Sequence, residues 1–321
     1  MQAITYQAYG APSVLSLQEI ETPVLAEHDV LVRVLAASVN SWDRDNLLGA
    51  FANRGMLGWI RPKVRVLGGD IAGRVESVGA SVTRWKPGDE VLCDLSGSGW
   101  GAFAAYARAP EAMLAAKPAS LSFAEAAALP QAGVMALQGI RDHGNVQAGQ
   151  RVLINGAGGG VGSFAVQLAK RLGAEVTGVD SAAKLDLLRS LGADHVLDYR
   201  AQDYTQSDQR YDFILDCELH RSPLDCRRVL TPRGRLTVLG GALTRVLQTF
   251  IVGKWLARSP GQQMDVLMHE ANKNLGQVAE LAAEGSIRPA IERQYSLSEV
   301  PLAMQRMCEG AVLGKAVIVM A

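Results

Sequence analysis

The chain has 321 residues, 48 % of them hydrophobic and 20 % charged, which is enough for two domains with separate cores. Its 32 basic and 32 acidic side chains cancel, so it lacks the basic excess by which a nucleic-acid binder displaces counterions from phosphates. Cys93, Cys217, Cys226 and Cys308 show no C-x-x-C spacing, which reads as free thiols in a reducing compartment rather than a disulfide framework or a zinc knuckle.

The opening MQAITYQAYG has neither a basic nor an apolar leader region. Residues 1–6, 14–19 and 29–38 alternate apolar and polar residues and are expected to be strands. Residues 66–79 are glycine-dense with β-branched residues between, a pattern that fits strands bending sharply in a small barrel. A turn at 86–89 leads into a strand at 90–93. Helices are expected at 123–129, which is alanine-rich, and at 134–143. Beyond Arg151, strands at 152–154, 175–179, 195–197, 213–216 and 235–239 are interleaved with helices at 161–172, 182–191 and 223–230. That alternation predicts an α/β fold with a parallel, doubly wound sheet. The most apolar stretch, 238–256, is interrupted by Arg245, Gln248 and Lys254, so no membrane span is expected. The chain closes with a helix at 272–284, a strand at 287–295, a helix at 299–308 and a strand at 315–319 that rejoins the first domain.

The chemistry is signalled most strongly by Val152-Leu-Ile-Asn-Gly-Ala-Gly-Gly-Gly-Val-Gly162, a strand, a run of glycines and the start of a helix. A dinucleotide fold needs a tight turn there, an open approach to the pyrophosphate and a small residue where helix meets strand. The register Ala157-x-Gly159-x-x-Gly162 fits, with Ala in place of the first Gly. Gly158, Gly159, Gly160, Val161 and Gly162 are therefore expected around the pyrophosphate at the helix N-terminus. Asp180 ends the next strand, where a carboxylate accepts the ribose hydroxyls of NAD and repels a 2′-phosphate.

With Ala37-Ser-Val-Asn-Ser-Trp-Asp43, Gly68-Gly-Asp-Ile-Ala-Gly73, Pro87-Gly-Asp-Glu-Val91, Leu191-Gly-Ala-Asp194 and Gly314-Lys-Ala-Val317, the motif resembles the medium-chain dehydrogenase/reductase superfamily. The resemblance is greatest to its zinc-free quinone oxidoreductase branch, which includes proteins labelled NAD(P)-dependent alcohol dehydrogenase. It implies a GroES-like β-barrel catalytic domain, 1–122 with a C-terminal return at 271–321, beside a Rossmann domain at 123–270. The cofactor would lie in the cleft between them. Aligned on the superfamily pattern, the three catalytic zinc-ligand positions hold Asn40, Gly69 and, near the third, Gln131. None of these replaces a thiolate or imidazole, so no metal is expected. Without a Lewis acid, oxidising an unactivated alcohol is hard, whereas reducing a polarised quinone or enone is easier.

The catalytic expectations are Asn40, whose amide would donate to the nicotinamide carboxamide or the substrate oxygen, and Asp43, which would orient its neighbours or cap a helix. No histidine stands out as a general acid, and water is left as the proton source. Ser181, Lys184 and Tyr199 match positions that hold the 2′-phosphate in NADPH-using relatives, in conflict with Asp180. NADPH is the expected cofactor, with NADH as a second. Cys217 and the turn Leu239, Gly240 and Gly241 follow two further strands and are expected to flank the nicotinamide. The apolar loop 47–60, with Phe51, Met56, Leu57 and Trp59, suggests a hydrophobic substrate pocket; Trp42 and Trp59 either wall it or pack. A cytoplasmic homo-oligomer is expected, associating through 249–269 and binding neither nucleic acid nor membrane. Two other readings stay open: a zinc-free alcohol dehydrogenase, and a low-turnover NAD(P)H-binding protein of the crystallin or RNA-binding kind.

Overall fold

The computed structural model describes residues 1–50, 54–55, 58–256 and 261–320. The chain forms two compact units, Met1–Val134 with Ala271–Ala321, and Met135–Glu270.

In the first unit β1 (Gln2–Thr5) pairs antiparallel with β2 (Ser16–Glu19). Next come β3 (Asp29–Val39), α1 (Ser41–Leu48), β4 (Asp70–Val78), β5 (Glu90–Asp94), β6 (Tyr106–Pro110) and β7 (Ala115–Ala116). Helices α2 (Phe123–Ala127) and α3 (Pro130–Leu137) follow. β3 is buried along almost its whole length, and its pairing with β4 slips twice. Such bulges bend a long strand and let a sheet curl.

The second unit runs β8 (Arg151–Asn155), α4 (Gly160–Arg171), β9 (Glu175–Asp180), α5 (Leu185–Ser190), β10 (His195–Asp198), β11 (Tyr211–Asp216), α6 (Pro223–Arg228), β12 (Leu230–Val238), α7 (Leu243–Leu256) and β13 (Gln263–Val266). Its six strands are parallel in the order β10-β9-β8-β11-β12-β13. Val152, Leu153 and Ile154 of β8 and Phe213, Ile214 and Leu215 of β11 are buried without alternation, as strands covered on both faces must be. The chain leaves β8 toward β9 and β10, then returns to β11, so the order reverses between β8 and β11. Ligands of such sheets bind beyond the carboxyl ends at that switch point.

The chain then re-enters the first unit through α8 (Leu275–Ala283), β14 (Ile291–Ser296), α9 (Val300–Cys308) and β15 (Lys315–Val319). The sheet order there is β14-β15-β3-β4-β5-β7, with β6 also on β3. β15 lies antiparallel to β3, with Ala316 opposite Val39 and Val319 opposite Ala36.

Several elements differ from the sequence reading. α1 carries no clear apolar stripe and was not signalled. Residues 123–134, assigned by sequence to the Rossmann domain, belong to the first unit because α2 packs on β3 and β4. α3 starts four residues early: Pro130 is tolerated in a first turn, whose N–H groups have no intrahelical partner. It continues as a π-helical stretch, Gln138–His143. The helix expected at 182–191 splits into a 3-10 turn, Ala182–Lys184, and α5.

Candidate active site

The dinucleotide end of the second unit is assembled from strand ends. α4 begins at Gly160, with Gly159 as its N-cap, so Gly160, Val161 and Gly162 form its first turn. That turn presents N–H groups and the positive end of the helix dipole, the standard seat for a phosphate. A methyl group at Gly162 would lie 2.3 Å from the Gly156 carbonyl oxygen and 2.5 Å from Ala157 Cα. Helix and strand therefore meet at a distance only glycine allows. A methyl at Gly158 would strike Lys184 Cβ and Cδ at 2.8 Å, so the glycine run also seats Lys184. These residues fit a dinucleotide pyrophosphate.

Asp180, Ser181, Lys184 and Tyr199 are brought together beyond β9 and β10. Asp180 Oδ2 accepts the Gly158 N–H at 2.8 Å, and Oδ1 accepts the Ser181 N–H at 2.8 Å. Lys184 Nζ stands 3.9 Å from Asp180 Oδ1, with both side chains largely buried. The Tyr199 N–H donates to the Asp180 carbonyl, and the half-exposed Tyr199 ring lies beside the Arg200 guanidinium. On the other side of β8, Asp216 is buried and accepts from Asn155 Nδ2 at 2.8 Å and Tyr204 Oη at 3.1 Å. Burial pushes its carboxyl up, and those donors pull it back down. The Leu239 N–H donates to the Asp216 carbonyl, and the Leu219 N–H to the Gly240 carbonyl. The loop with Cys217 and the turn Leu239–Gly241 are thus tied together. Burial, reinforced by the charges of Asp216, Glu218 and Asp180, pushes the Cys217 thiol well up, which keeps it protonated and unreactive.

The first unit holds a second cluster, centred on Asp70 at the start of β4. Asp70 is fully buried. Its Oδ2 accepts from Ser38 Oγ at 2.9 Å and Asn40 Nδ2 at 2.9 Å, and lies 3.5 Å from Lys315 Nζ. Its Oδ1 accepts the Gln131 backbone N–H at 3.0 Å. Lys315, on β15, also donates to Asn40 Oδ1 at 2.5 Å. The Asn40 amide is therefore held at both ends. Asp43, in the first turn of α1, accepts the Asn40 N–H at 2.8 Å and the Gly68 N–H at 3.0 Å. It closes the start of α1 and ties it to the chain before β4. Burial pushes the Asp43 carboxyl up to about 8 against the pull of those two donors. Burial also raises Asp70 and lowers Lys315, each opposed by the other's charge. Among the described residues, no group of three or more His, Cys, Asp or Glu side chains is arranged to hold a metal.

Residues 26–119 match the family model described as the alcohol dehydrogenase GroES-like domain, and residues 191–318 match that described as zinc-binding dehydrogenase. The quinone-oxidoreductase homolog, chloroplastic, of Spinacia oleracea is 32% identical over 330 residues, covering 99% of this chain and 98% of the relative. The chain belongs to the medium-chain dehydrogenase/reductase family. A second relative, the chloroplastic NADPH-dependent alkenal/one oxidoreductase of Arabidopsis thaliana, is 34% identical to this reductase over 265 residues, 78% of the chain and 66% of the relative. The solved quinone oxidoreductase from Coxiella burnetii superposes with a TM-score of 0.89 at 28% identity, covering 100% of the chain and 99% of that structure.

Sequence reasoning about this medium-chain reductase missed the centre of the second cluster. Asp70 and Lys315 lay inside quoted family stretches but were not named as functional. A signal was present: each is a charge set directly in a buried apolar strand, as in Lys315-Ala-Val-Ile-Val319. Such charges are almost never buried unless paired. Of the two tryptophans offered as pocket walls, Trp42 packs on Trp100 with ring centroids 6.4 Å apart, and Trp59 is exposed. Phe51, Met56 and Leu57 lie outside the described residues. His28, His143, His195 and His220 each stand beside a carboxylate.

Proposed function

We propose that this chain is an NADPH-dependent reductase that transfers hydride to a quinone or an α,β-unsaturated carbonyl without a metal. The observation that carries the metal-free part is the Lys315 ammonium on Asn40 Oδ1. Where a zinc dehydrogenase would place its first thiolate, this chain has a neutral amide whose carbonyl oxygen is already taken by a buried cation. That donor set repels a divalent ion and leaves no soft ligand. When bound, NADPH supplies the hydride. Gly160, Val161 and Gly162 anchor the pyrophosphate, and the tied loops at 217–219 and 239–241 border the switch point. Water provides the proton that completes the hydroquinone or the saturated carbonyl.

The same geometry reconciles Asp180 with NADPH. Both Asp180 oxygens accept backbone N–H groups, and the Lys184 ammonium beside them offsets the charge that would repel a 2′-phosphate. Removing a charged donor to phosphate costs about 1.5–3 kcal/mol, so Lys184→Ala should raise the KM for NADPH at least about tenfold. The KM for NADH should stay nearly constant. The test follows absorbance loss of each cofactor with a simple quinone and an aliphatic enone on metal-stripped protein. Turnover that returns only with added zinc sinks the metal-free reading, and equal loss for both cofactors sinks the role of Lys184.

A homo-oligomer is proposed through α7 and β13. Leu243, Leu247, Ile251 and Trp255 recur every four residues along α7 and are each about half exposed or more. β13 ends the six-stranded sheet beside them. An apolar stripe beside an open sheet edge suits a second copy of the chain. Ile251→Asp should shift the sedimentation of the protein toward monomer, and an unchanged profile removes α7 from the interface. Among the described residues no helix is long and apolar enough to cross a membrane. The four cysteines stand outside disulfides, which supports the proposed cytoplasmic setting.

A further inference from the structure

Asp180 and Lys184 carry opposite charges 3.9 Å apart, and both side chains are largely buried. As a unit the pair is close to neutral. A 2′-phosphate brings about two negative charges at neutral pH, which the pair alone does not balance. A further cation is needed on the same rim of the sheet, and β10 supplies one. Asp198 pairs with Asp180 at the ends of the two parallel strands, and the Tyr199 N–H donates to the Asp180 carbonyl at 3.1 Å. Arg200 therefore stands one residue beyond the bond that ties β10 to the Asp180 backbone. Tyr199 and Arg200 are both exposed. Arg200 Nε donates to Tyr199 Oη at 3.3 Å, and the guanidinium carbon lies 5.6 Å from the centre of the Tyr199 ring. The Asp198 carboxylate also bears on Arg200, and it accepts the Arg200 backbone N–H at 3.0 Å. Among the described residues the Arg200 guanidinium has no ion-pair partner within 4 Å, and its two Nη groups make no hydrogen bond. The fork is braced at Nε and open at its two outer donors, the geometry that meets phosphate oxygens in pairs.

We infer that Arg200 is a specificity-determining residue of this chain, whose guanidinium fork takes the 2′-phosphate of NADPH while Tyr199 holds it in place. The inference rests on the NADPH reading. Lys184 shares its charge with Asp180, and Arg200 supplies the positive charge that this sharing leaves short. NADH carries a ribose hydroxyl in place of the phosphate and gains nothing from a second cation. Because Arg200 is exposed, its attraction for the phosphate is screened by salt.

The test measures the affinities of NADP⁺ and NAD⁺ by isothermal titration, without turnover. Arg200→Ala should weaken NADP⁺ about tenfold and leave NAD⁺ within about twofold of the parent. Arg200→Lys keeps the charge but not the fork, and should recover only part of the loss. The 2′-phosphate loses its last proton near about pH 6, so the parent should bind NADP⁺ more tightly as pH rises from about 5.5 to about 7.5. In Arg200→Ala that gain should shrink, because one of the cations that favours the dianion is gone. A parent that prefers NADP⁺, with the same preference in Arg200→Ala, overturns this inference alone. A parent that binds NAD⁺ as tightly as NADP⁺ overturns the NADPH reading and the inference with it. An equal loss of both cofactors in Arg200→Ala also overturns the inference, since it would place Arg200 on the shared adenosine or in the support of the fold.

Discussion

Lys315→Met should destabilise the protein by about 3–5 kcal/mol, the usual cost of stripping one partner from a buried ion pair. Lys315 is 1 % exposed and Asp70 fully buried. The ammonium also faces the buried carboxyls of Asp43 and Asp94, so removing it takes a nearby positive charge from each of them as well as from Asp70. The deficit should depend on pH in a definite direction. Asp43 titrates at about 8 in the folded chain and near 4 once unfolded, and Asp70 is raised as well. A carboxyl raised on folding contributes most below its unfolded pKa, and the contribution fades as pH climbs through the folded value. The Lys315→Met deficit should therefore be largest near pH 8 and shrink toward pH 5, where the buried carboxyls take up protons. Urea unfolding across that range measures it. Adding Asp70→Asn should restore much of the loss, because the unpaired charge is gone while one oxygen still caps Gln131. A double variant as unstable as the sum of the two singles would mean that the two residues do not act as a pair.

Gly162→Ala should strike cofactor binding hardest. The added methyl would sit 2.3 Å from the Gly156 carbonyl oxygen and 2.5 Å from Ala157 Cα, both backbone atoms that no rotamer change can move. α4 must then shift away from β8, carrying its first-turn N–H groups off the phosphate position. Overpacking of this kind costs about 1–3 kcal/mol, and a similar loss in the complex weakens NADPH binding about tenfold to a hundredfold. Gly276→Ala is the control. Gly276 lies in the first turn of α8, where a methyl meets nothing within 4 Å. That change should leave cofactor affinity alone and stabilise by about 0.5–1 kcal/mol. Isothermal titration with NADPH and thermal melts of both variants separate the outcomes. Equal affinity in Gly162→Ala and the parent would show that the glycine is not required by close packing.

The sequence alone was sufficient for everything carried by local pattern. The strand, glycines and helix of 152–162 follow from an apolar run, conformational freedom at glycine and helical periodicity over neighbouring residues. Asp180, Ser181 and Lys184 lie within five residues of one another, so the junction of β9 with its following turn brings them together without long-range help. The alternation of β and α units, and the family to which the chain belongs, were readable for the same reason. What tertiary structure decided is which distant groups meet. Lys315 reaches Asp70 across 245 residues and Asn40 across 275, and only the pairing of β15 with β3 brings them together. The Gln131 N–H, at the start of α3, is met by a carboxylate from β4, 61 residues away in the chain. It was also tertiary packing that put 123–134 with the first unit and set Asp180 Oδ2 on the Gly158 N–H. A local pattern encodes the torsions and the buried face of one element, but the partner of a buried charge is fixed by sheet order and register, which join residues that no local window contains.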